Sequence, residues 1–181
     1  MSNISEFISI VQNEGIARNN RYDAFITFPL ELLYYGSAEK SNKFRLLCSK
    51  VNVPNTSYMT WEHLTYGEIR TVPYQRKFDP LQLTFYMDQK FDVKHAFDSW
   101  MSFTFDSKKR FSNYYEKYAK NCTIELEINN VDDSIPYKMT FYETYPKVVQ
   151  EIDLGYDRKD AMTLSVLFQY KYYTVKDVDV I

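Results

Sequence analysis

Apolar and polar residues alternate along much of this 181-residue chain, which is the pattern of β-strands with one buried face. The alternation is strictest at residues 122–128 and 81–87, where every second side chain is apolar. Shorter or weaker patterns predict further strands, at residues 22–28, 44–49, 137–142, 147–154 and 162–173. Residues 30–43 surround Gly36 with polar side chains, and we expect a loop there.

Two segments instead have the period of an amphipathic helix. In residues 3–14 the apolar residues fall on one face, and Gly15 follows where a C-terminal cap belongs. Residues 92–103 predict a second helix, with Asp92 as N-cap and Phe91 as a hydrophobic staple. Its expected buried stripe is Val93, Ala96, Phe97, Trp100 and Met101. A third short helix is expected within residues 106–120, so the fold class is mainly β with two or three short helices.

The segment 55–80 has strand character without an obvious buried face. Tyr58–Trp61 and Ile69–Val72 favour strands, and Tyr66 with Gly67 permits a bend between them. Charged and apolar residues otherwise mix along this segment. We therefore predict a long hairpin or loop that reaches away from its own core toward a neighbouring subunit. The rest of residues 1–181 forms one domain in this interpretation, since no linker or repeat interrupts it.

Composition points to protein–protein contacts. Aromatic residues make up 18% of the chain and include 17 tyrosines. Tyrosine is enriched at interfaces because its rigid ring is half apolar and half polar, although strands also favour aromatic residues. Charge is uneven: residues 106–120 hold five basic and two acidic side chains, whereas residues 121–181 hold six and eleven. No basic surface suited to tight duplex binding follows from this distribution.

Groups able to carry out chemistry are few, and their spacing matches no known site. His63 and His95 are the only histidines, and neither has a second metal ligand at a usable spacing. Cys48 and Cys122 form no CxxC pair, so we expect two reduced thiols in the core. Four glycines leave no phosphate-binding loop.

Acidic residues could in principle form two further sites. Asp153, Asp157 and Asp160 lack the spacing of a calcium loop, and a solvated turn is the better interpretation. Glu125 and Glu127 share one face of a strand, where alternation explains them as the solvated side. We therefore predict no catalytic, cofactor-binding or metal-binding residues, and no enzyme. The chain also shows no secretory signal and no apolar run of membrane-spanning length, so we expect assembly in a cytoplasm without membrane anchoring.

Four stretches in a fixed order resemble a known family. The first, Gly15 to Tyr22, is similar to a G-x-A-R-x-N segment that precedes the first strand of that family. The others are Cys48–Pro54, Arg76–Asp88, and the segments Tyr145–Lys147, Ile152–Leu154 and Thr163–Tyr170. In these stretches the chain resembles the tail tube proteins of contractile-tailed phages, including the related tube-initiator proteins of their baseplates.

The resemblance implies an antiparallel β-sandwich or rolled barrel, six copies of which close into a ring with one continuous inner barrel. Rings would stack into a tail tube through which DNA passes during ejection. It further implies a virion protein whose partners are its own copies and the sheath, baseplate and tape-measure proteins. The expected contact residues between subunits or rings are Phe7, Tyr58, Trp61, Tyr66, Ile69 and Tyr74. Glu125 and Glu127 are expected to face the channel, where negative charge would repel DNA phosphates.

Four other functions compete with the main tube subunit. A baseplate initiator would form one or two rings, and a phage-like injection machine would use the same ring without a virion. A monomeric β-barrel that binds a small ligand would need an apolar interior with an open polar mouth. A carbohydrate-active enzyme would need two carboxylates facing each other in a cleft, and no such pair stands out.

Overall fold

Two four-stranded antiparallel sheets form the body of the protein. The computed structural model describes residues 2–64, 67–130, 135, 137–152, 154–157 and 160–176. Its helices are α1 Ser2–Glu14, α2 Ala38–Leu47, α3 Asp92–Thr104 and α4 Tyr115–Tyr118, with a 3₁₀ turn at Leu30–Leu32. Its strands are β1 Tyr22–Ile26, β2 Cys48–Asn52, β3 Thr56–His63, β4 Arg70–Phe78, β5 Leu81–Tyr86, β6 Phe105–Asp106, β7 Phe111–Ser112, β8 Thr123–Ile128, β9 Tyr137–Tyr142, β10 Tyr145–Val149, β11 Thr163–Gln169 and β12 Tyr172–Val175.

The strand order separates the chain into two main sheets and two hairpins. The first sheet has the order β1-β8-β9-β12, and the second has the order β10-β11-β5-β2. Strands β3 and β4 form a separate two-stranded sheet, and so do the short strands β6 and β7. The predicted mainly β fold is confirmed, and β3 and β4 lie within the segment 55–80. Among the described residues no helix combines the length and the apolar character needed to cross a membrane.

Aromatic side chains fill the core where α3 meets the second sheet. The Phe97 ring centroid lies 5.4 Å from that of Phe85 and 5.6 Å from that of Phe168. The ring centroids of Trp100 and Phe28 are 5.2 Å apart. The Trp100 indole Nε1 donates a hydrogen bond of 3.1 Å to the carbonyl of Tyr118. The predicted stripe of α3 is buried except for Met101, which is half-buried. This helix therefore joins both sheets into one hydrophobic core.

Residues 38–47 form a helix, so the predictions of a loop and of a strand starting at residue 44 were wrong. The segment is rich in residues that favour helices, among them alanine, glutamate, lysine, arginine and leucine. Phe44 is its one described residue in the core, whereas Leu46 is exposed, so the apparent alternation did not reflect a sheet face. The strand begins only at Cys48, whose backbone is extended and whose N–H still bonds to the helix carbonyls.

The last predicted strand is divided between the two sheets. β11 pairs with β5 and β10 in the second sheet, whereas β12 pairs with β9 in the first. Tyr170, at the crossing, is buried against Phe141 at a ring distance of 4.9 Å. Buried residues alternate from Leu164 to Tyr170 and then shift by one position, since Tyr172 is exposed and Tyr173 is half-buried. In the sequence Tyr172 continues the apolar alternation, which is why the pattern predicted one long strand.

The start of α3 also differs from the prediction. Phe91, not Asp92, occupies the N-cap position, with a left-handed backbone at φ 56°. Lys43 Nζ of α2 lies 2.7 Å from a carboxylate oxygen of Asp92 and 2.7 Å from one of Asp88. Asp88 also accepts a hydrogen bond from the backbone N–H of Val93. Asp92 is therefore engaged in an ion pair that ties α2 to the start of α3.

Replacing Lys43 with methionine is expected to lower the free energy of unfolding by about 1 kcal/mol at pH 7, because both ends of the pair are only partly buried. Burial opposes ionisation of Asp88, but the hydrogen bond and charge of Lys43 together with backbone hydrogen bonds outweigh it and lower the pKa of Asp88. The hydrogen bond from Lys43 also lowers the pKa of Asp92. Carboxylates with a depressed pKa stabilise the fold above their unfolded value of 3.8 and lose that contribution as pH falls. The difference between Lys43→Met and wild type should therefore shrink below about pH 4. Urea unfolding across pH tests this.

Lys94→Met is the matched control for Lys43→Met. Lys94 forms an exposed pair with Asp98 one turn along α3, at 3.1 Å. Exposed pairs of this kind contribute about 0.3–0.5 kcal/mol. Equal losses of unfolding free energy in Lys43→Met and Lys94→Met would contradict the role of Lys43 as a link between helices.

Both cysteines are free, as predicted for reduced thiols. Cys122 is buried in the core and Cys48 is half-buried at the start of β2. Burial raises the pKa of each thiol to about 12. Because the thiolate is the reactive form, both cysteines should react slowly with alkylating reagents near neutral pH.

Candidate assembly surface

The hairpin of β3 and β4 stands apart from the sandwich. Its strands pair with each other from Thr56 opposite Phe78 to His63 opposite Arg70. All described residues of β3 except Ser57 are exposed, and β4 is exposed as far as Gln75. A two-stranded hairpin alone in water is at best marginally stable, so this one needs another surface to pack against.

One face of this hairpin is apolar, and we call it the hairpin face: Met59, Trp61, Val72 and Tyr74. Trp61 lies directly opposite Val72 in the register, which places both on the same side. The Tyr74 hydroxyl donates to the Met59 sulfur at 3.7 Å. These four side chains are between 44% and 64% exposed. Contiguous exposed apolar residues of this kind mark interaction sites.

The hairpin face could not be predicted from the sequence, because a bulge breaks the alternation. Met59 pairs with Gln75 and Thr60 pairs with Pro73, so Tyr74 is an extra residue in β4. On the far side of the bulge the pairing brings Glu62 opposite Thr71, on the face away from Trp61. The segment therefore carries an apolar face, although it has no buried one among its described residues.

The base of the hairpin is fixed to the last strand of the first sheet. Arg76 Nη2 donates a hydrogen bond of 2.7 Å to the hydroxyl of Tyr173 in β12. The same hydroxyl lies 2.8 Å from Thr56 Oγ1, and the Arg76 guanidinium stands 5.0 Å from the centre of the Tyr173 ring. Phe78 packs edge-on against Tyr173 at 6.0 Å. The hairpin therefore projects from a defined anchor.

The predicted contact residues do not all lie on one surface. Trp61 and Tyr74 are on the hairpin face, whereas Tyr58 points to the opposite side and Ile69 is next to the tip. Phe7 is in α1 and is exposed, as are Tyr58 and Ile69. Tyr66 lies outside the described residues. Met59 and Val72 also belong to the hairpin face. The sequence analysis did not predict them, because the side they face depends on the bulge.

Each main sheet also ends in strands that pair on one side only. These edge strands are β1 and β12 in the first sheet, and β10 and β2 in the second. An unpaired edge offers a row of backbone donors and acceptors that another chain can extend. The edges therefore provide a second means of association, through continued sheets.

Glu125 and Glu127 lie on the solvated face of β8, and Lys138 of β9 bridges them. Lys138 Nζ is 2.6 Å from Glu125 Oε2 and 2.9 Å from Glu127 Oε1. The hydrogen bonds that Lys138 donates to these carboxylates raise its pKa to about 12. One ammonium thus neutralises half of the predicted acidic patch.

Neither histidine has the surroundings of a reactive group. His63 and His95 are exposed, and His63 contacts the Trp61 ring at a centroid distance of 5.5 Å. Across the part of the chain that the structure describes, no three metal-ligating side chains come together. Asp157 and Asp160 are exposed, while Asp153 lies outside the described residues.

The whole sandwich corresponds to one known family. The sequence profile described as "Phage tail tube protein" matches residues 17–176. The chain belongs to the phage tail tube protein family. The resemblance seen in the sequence is therefore confirmed, and tail tube proteins of this family are structural proteins, not enzymes. No curated protein matches the chain significantly.

Solved structures of contractile particles share the tail tube fold. A chain of the anti-feeding prophage (AFP) baseplate superimposes with a TM-score of 0.65 at 13% identity, covering 91% of this chain and 98% of that one. A chain of the PVC sheath–tube complex, from an extracellular contractile injection system, gives 0.63 at 12% identity, covering 94% and 97%. A chain of the AFP tube-terminating cap gives 0.62 at 9% identity, covering 89% and 91%. At these identities the likeness establishes the fold.

Proposed function

We propose that this chain is the subunit of the inner tail tube of a contractile phage tail, and that six copies close into a ring. Rings stack on one another, and the resulting tube carries DNA during ejection. The observation that carries this proposal is the hairpin face, an apolar surface on an arm that has no packing partner within its own described chain. A neighbouring ring supplies that partner.

The unpaired sheet edges support ring closure. Pairing of an edge strand in one copy with the opposite edge in the next continues a sheet around a ring and removes every exposed edge. A subunit with two different complementary surfaces associates head to tail, and such contacts form a ring when the rotation between copies closes. The hairpin then makes contacts along the tube axis.

Electron microscopy of the purified protein over a concentration series tests the proposal. Six-fold rings or stacked tubes with an open channel are expected. Dispersed monomers at all concentrations, also after addition of preformed tail ends as nuclei, would contradict it. Isolated single or double rings that never lengthen would instead favour a baseplate initiator, which shares the fold.

The interior of the sandwich argues against a monomeric ligand-binding barrel. Phe97, Trp100, Phe141 and Phe168 are fully buried and fill the space between the sheets. A cavity of about 490 Å³ lies outside this core, against residues of β1, β2 and β8. A binding barrel needs an enclosed interior space, and this core is packed with side chains instead.

The chemistry of the two solvated sheet faces differs, which bears on the channel wall. On the central strands of the second sheet, β5 and β11, the outward side chains are uncharged: Gln82, Thr84, Tyr86, Thr163, Ser165, Leu167 and Gln169. On the central strands of the first sheet the outward side chains include Glu125, Glu127 and Lys138. An uncharged wall neither retains phosphates nor binds counterions. We therefore assign the channel wall to the second sheet, in place of the predicted Glu125 and Glu127.

Lysine pairs on each face test this assignment. Thr84→Lys with Ser165→Lys changes two neighbouring side chains, which are 2.9 Å apart across β5 and β11. Genome ejection from particles carrying these lysines should slow severalfold, and the effect should weaken at high salt because the added cations bind phosphate. Glu125→Lys with Glu127→Lys is the matched comparison, expected to leave ejection unchanged. The opposite result would place the channel at the first sheet.

Partners follow from the assembled tube. In this proposal the sheath protein contacts the outside of the tube, the baseplate its end, and the tape-measure protein its channel. The particle is a virion assembled in the host cytoplasm. The neighbouring structures come from a baseplate, a sheath–tube complex and a tube-terminating cap. Those structures are of other proteins, and they support a tube with several contacting layers. An injection machine that lacks a genome remains the alternative, and a sheathed particle without DNA would favour it.

A further inference from the structure

Helix α1 carries an apolar stripe whose described side chains are not buried. Ile4, Phe7 and Ile8 are exposed, and Val11 on the same stripe is half-buried. The helix follows the 3.6-residue period of a surface that packs against something. The family match begins at Ala17, after the helix, so α1 lies outside the part of the chain that defines a tail tube protein.

The structure also contains an apolar groove with a volume of about 490 Å³. The first residue along the chain that lines it is Ala17, shortly after the helix. We call it the β1–β2 groove. Its apolar lining includes Val51 of β2, Val53 just after β2, and Leu126 and Ile128 of β8. It thus lies beside the edge strands β1 and β2, between the first sheet and the second.

The rim of the groove is basic and the helix is acidic. Arg18, Arg21 and Lys50 line the groove, and Arg21 is held by a hydrogen bond of 3.0 Å to the carbonyl of Asn130. The helix contains two glutamates and no basic residue. The side-chain charges of −2 and +3 are therefore complementary, which favours the encounter of the two surfaces.

The chain's own helix cannot easily fill this groove. The helix ends at Glu14, Gly15 closes it with φ 75° and a 3.1 Å bond to Val11, and the groove wall already begins at Ala17. Gly15 and Ile16 together span at most about 7 Å, so the helix would have to fold sharply back onto its own linker. A helix from a second copy meets no such restriction.

We propose that α1 of one subunit docks its apolar stripe into the β1–β2 groove of a neighbouring subunit. The occupant is a second copy of this chain, so the inference rests on the proposed assembly into rings. It adds a contact that is separate from the hairpin face and the sheet edges. Each subunit both gives a helix and receives one, and such a head-to-tail contact closes when the copies form a ring.

Cross-linking between two single variants tests the docking. One full-length protein carries Phe7→Cys and the other carries Val53→Cys, and both positions are exposed in the single chain. The natural cysteines compete little, because burial raises the pKa of Cys48 and Cys122 to about 12. The two proteins are mixed, brought to the concentration at which assembly occurs, and treated with a short bis-maleimide.

Cross-linked dimers containing one copy of each variant are expected at a rate at least about tenfold above a control mixture, since docking raises the local concentration to the millimolar range. The control pairs Phe7→Cys with Leu30→Cys, an equally exposed apolar position outside the groove. Lys50→Glu in the groove variant should lower the rate by reversing a rim charge.

Several outcomes would overturn the inference. Equal rates for the Val53 and Leu30 mixtures in a sample that shows rings would refute the docking while leaving the proposed function intact. A cross-link within one chain carrying both Phe7→Cys and Val53→Cys at high dilution would show that the helix fills its own groove. Absence of both rings and the specific cross-link would refute both proposals.

Discussion

Replacing Trp100 with alanine is expected to lower the free energy of unfolding by about 3–5 kcal/mol. The indole is fully buried and packs against Phe28 at 5.2 Å and against Phe168 at 6.3 Å between ring centroids. Its removal leaves a cavity between α3 and the second sheet. It also leaves the Tyr118 carbonyl without its donor, which adds to the loss.

Denaturant unfolding followed by circular dichroism measures this effect. A loss of this size is a large part of the 5–15 kcal/mol that stabilises a typical domain, so the variant should unfold at much lower denaturant concentration. Trp100→Phe preserves most of the volume and should lose less. A Trp100→Ala protein as stable as wild type would show that the core is packed differently.

Replacing Trp61 with alanine is expected to weaken assembly and to leave the stability of the single chain almost unchanged. Trp61 is 63% exposed on the hairpin face, so the free energy of unfolding of the single chain should change by less than about 0.5 kcal/mol. Assembly should suffer instead, because a buried tryptophan in an interface often contributes 2 kcal/mol or more. That corresponds to a rise of at least about 30-fold in the concentration needed for tubes.

Sedimentation velocity over a concentration series checks the Trp61 prediction. Glu62→Ala is the matched control, since Glu62 is the next residue in β3 and faces the other side of the hairpin. It should assemble at nearly the wild-type concentration. Assembly of Trp61→Ala at the wild-type concentration would remove the hairpin face from the interface.

Regular patterns in the sequence predicted the parts of the fold that have one buried and one solvated face. Strand β8 and helix α3 have this property, and their predicted bounds agree with the structure to within one residue at each end. Burial of every second residue in a strand, or of every third to fourth residue in a helix, is a strong signal of these elements. Each apolar side chain on the wrong face would lose the free energy of its transfer out of water.

Other features depend on pairing that the sequence does not reveal. Helix α2 has Phe44 as its one residue in the core, so it lacks an apolar stripe. The hairpin face depends on the extra residue Tyr74, and a one-residue change in register reverses every side chain beyond it. Lys138 meets Glu125 and Glu127 only because β8 and β9 pair in one particular register. Such contacts follow from the folded chain alone.

The Tyr173 anchor has a consequence for how a tube grows. Its hydroxyl contacts Arg76 and Thr56 at the base of the hairpin, while its backbone belongs to β12, an edge strand of the first sheet. Any partner that orders the hairpin thereby also orders this edge, and by thermodynamic linkage an ordered edge favours the bound hairpin. Axial and lateral growth would then be cooperative. Tyr173→Phe, which removes the hydroxyl and keeps the ring, should make the transition from free subunits to tubes less steep with concentration.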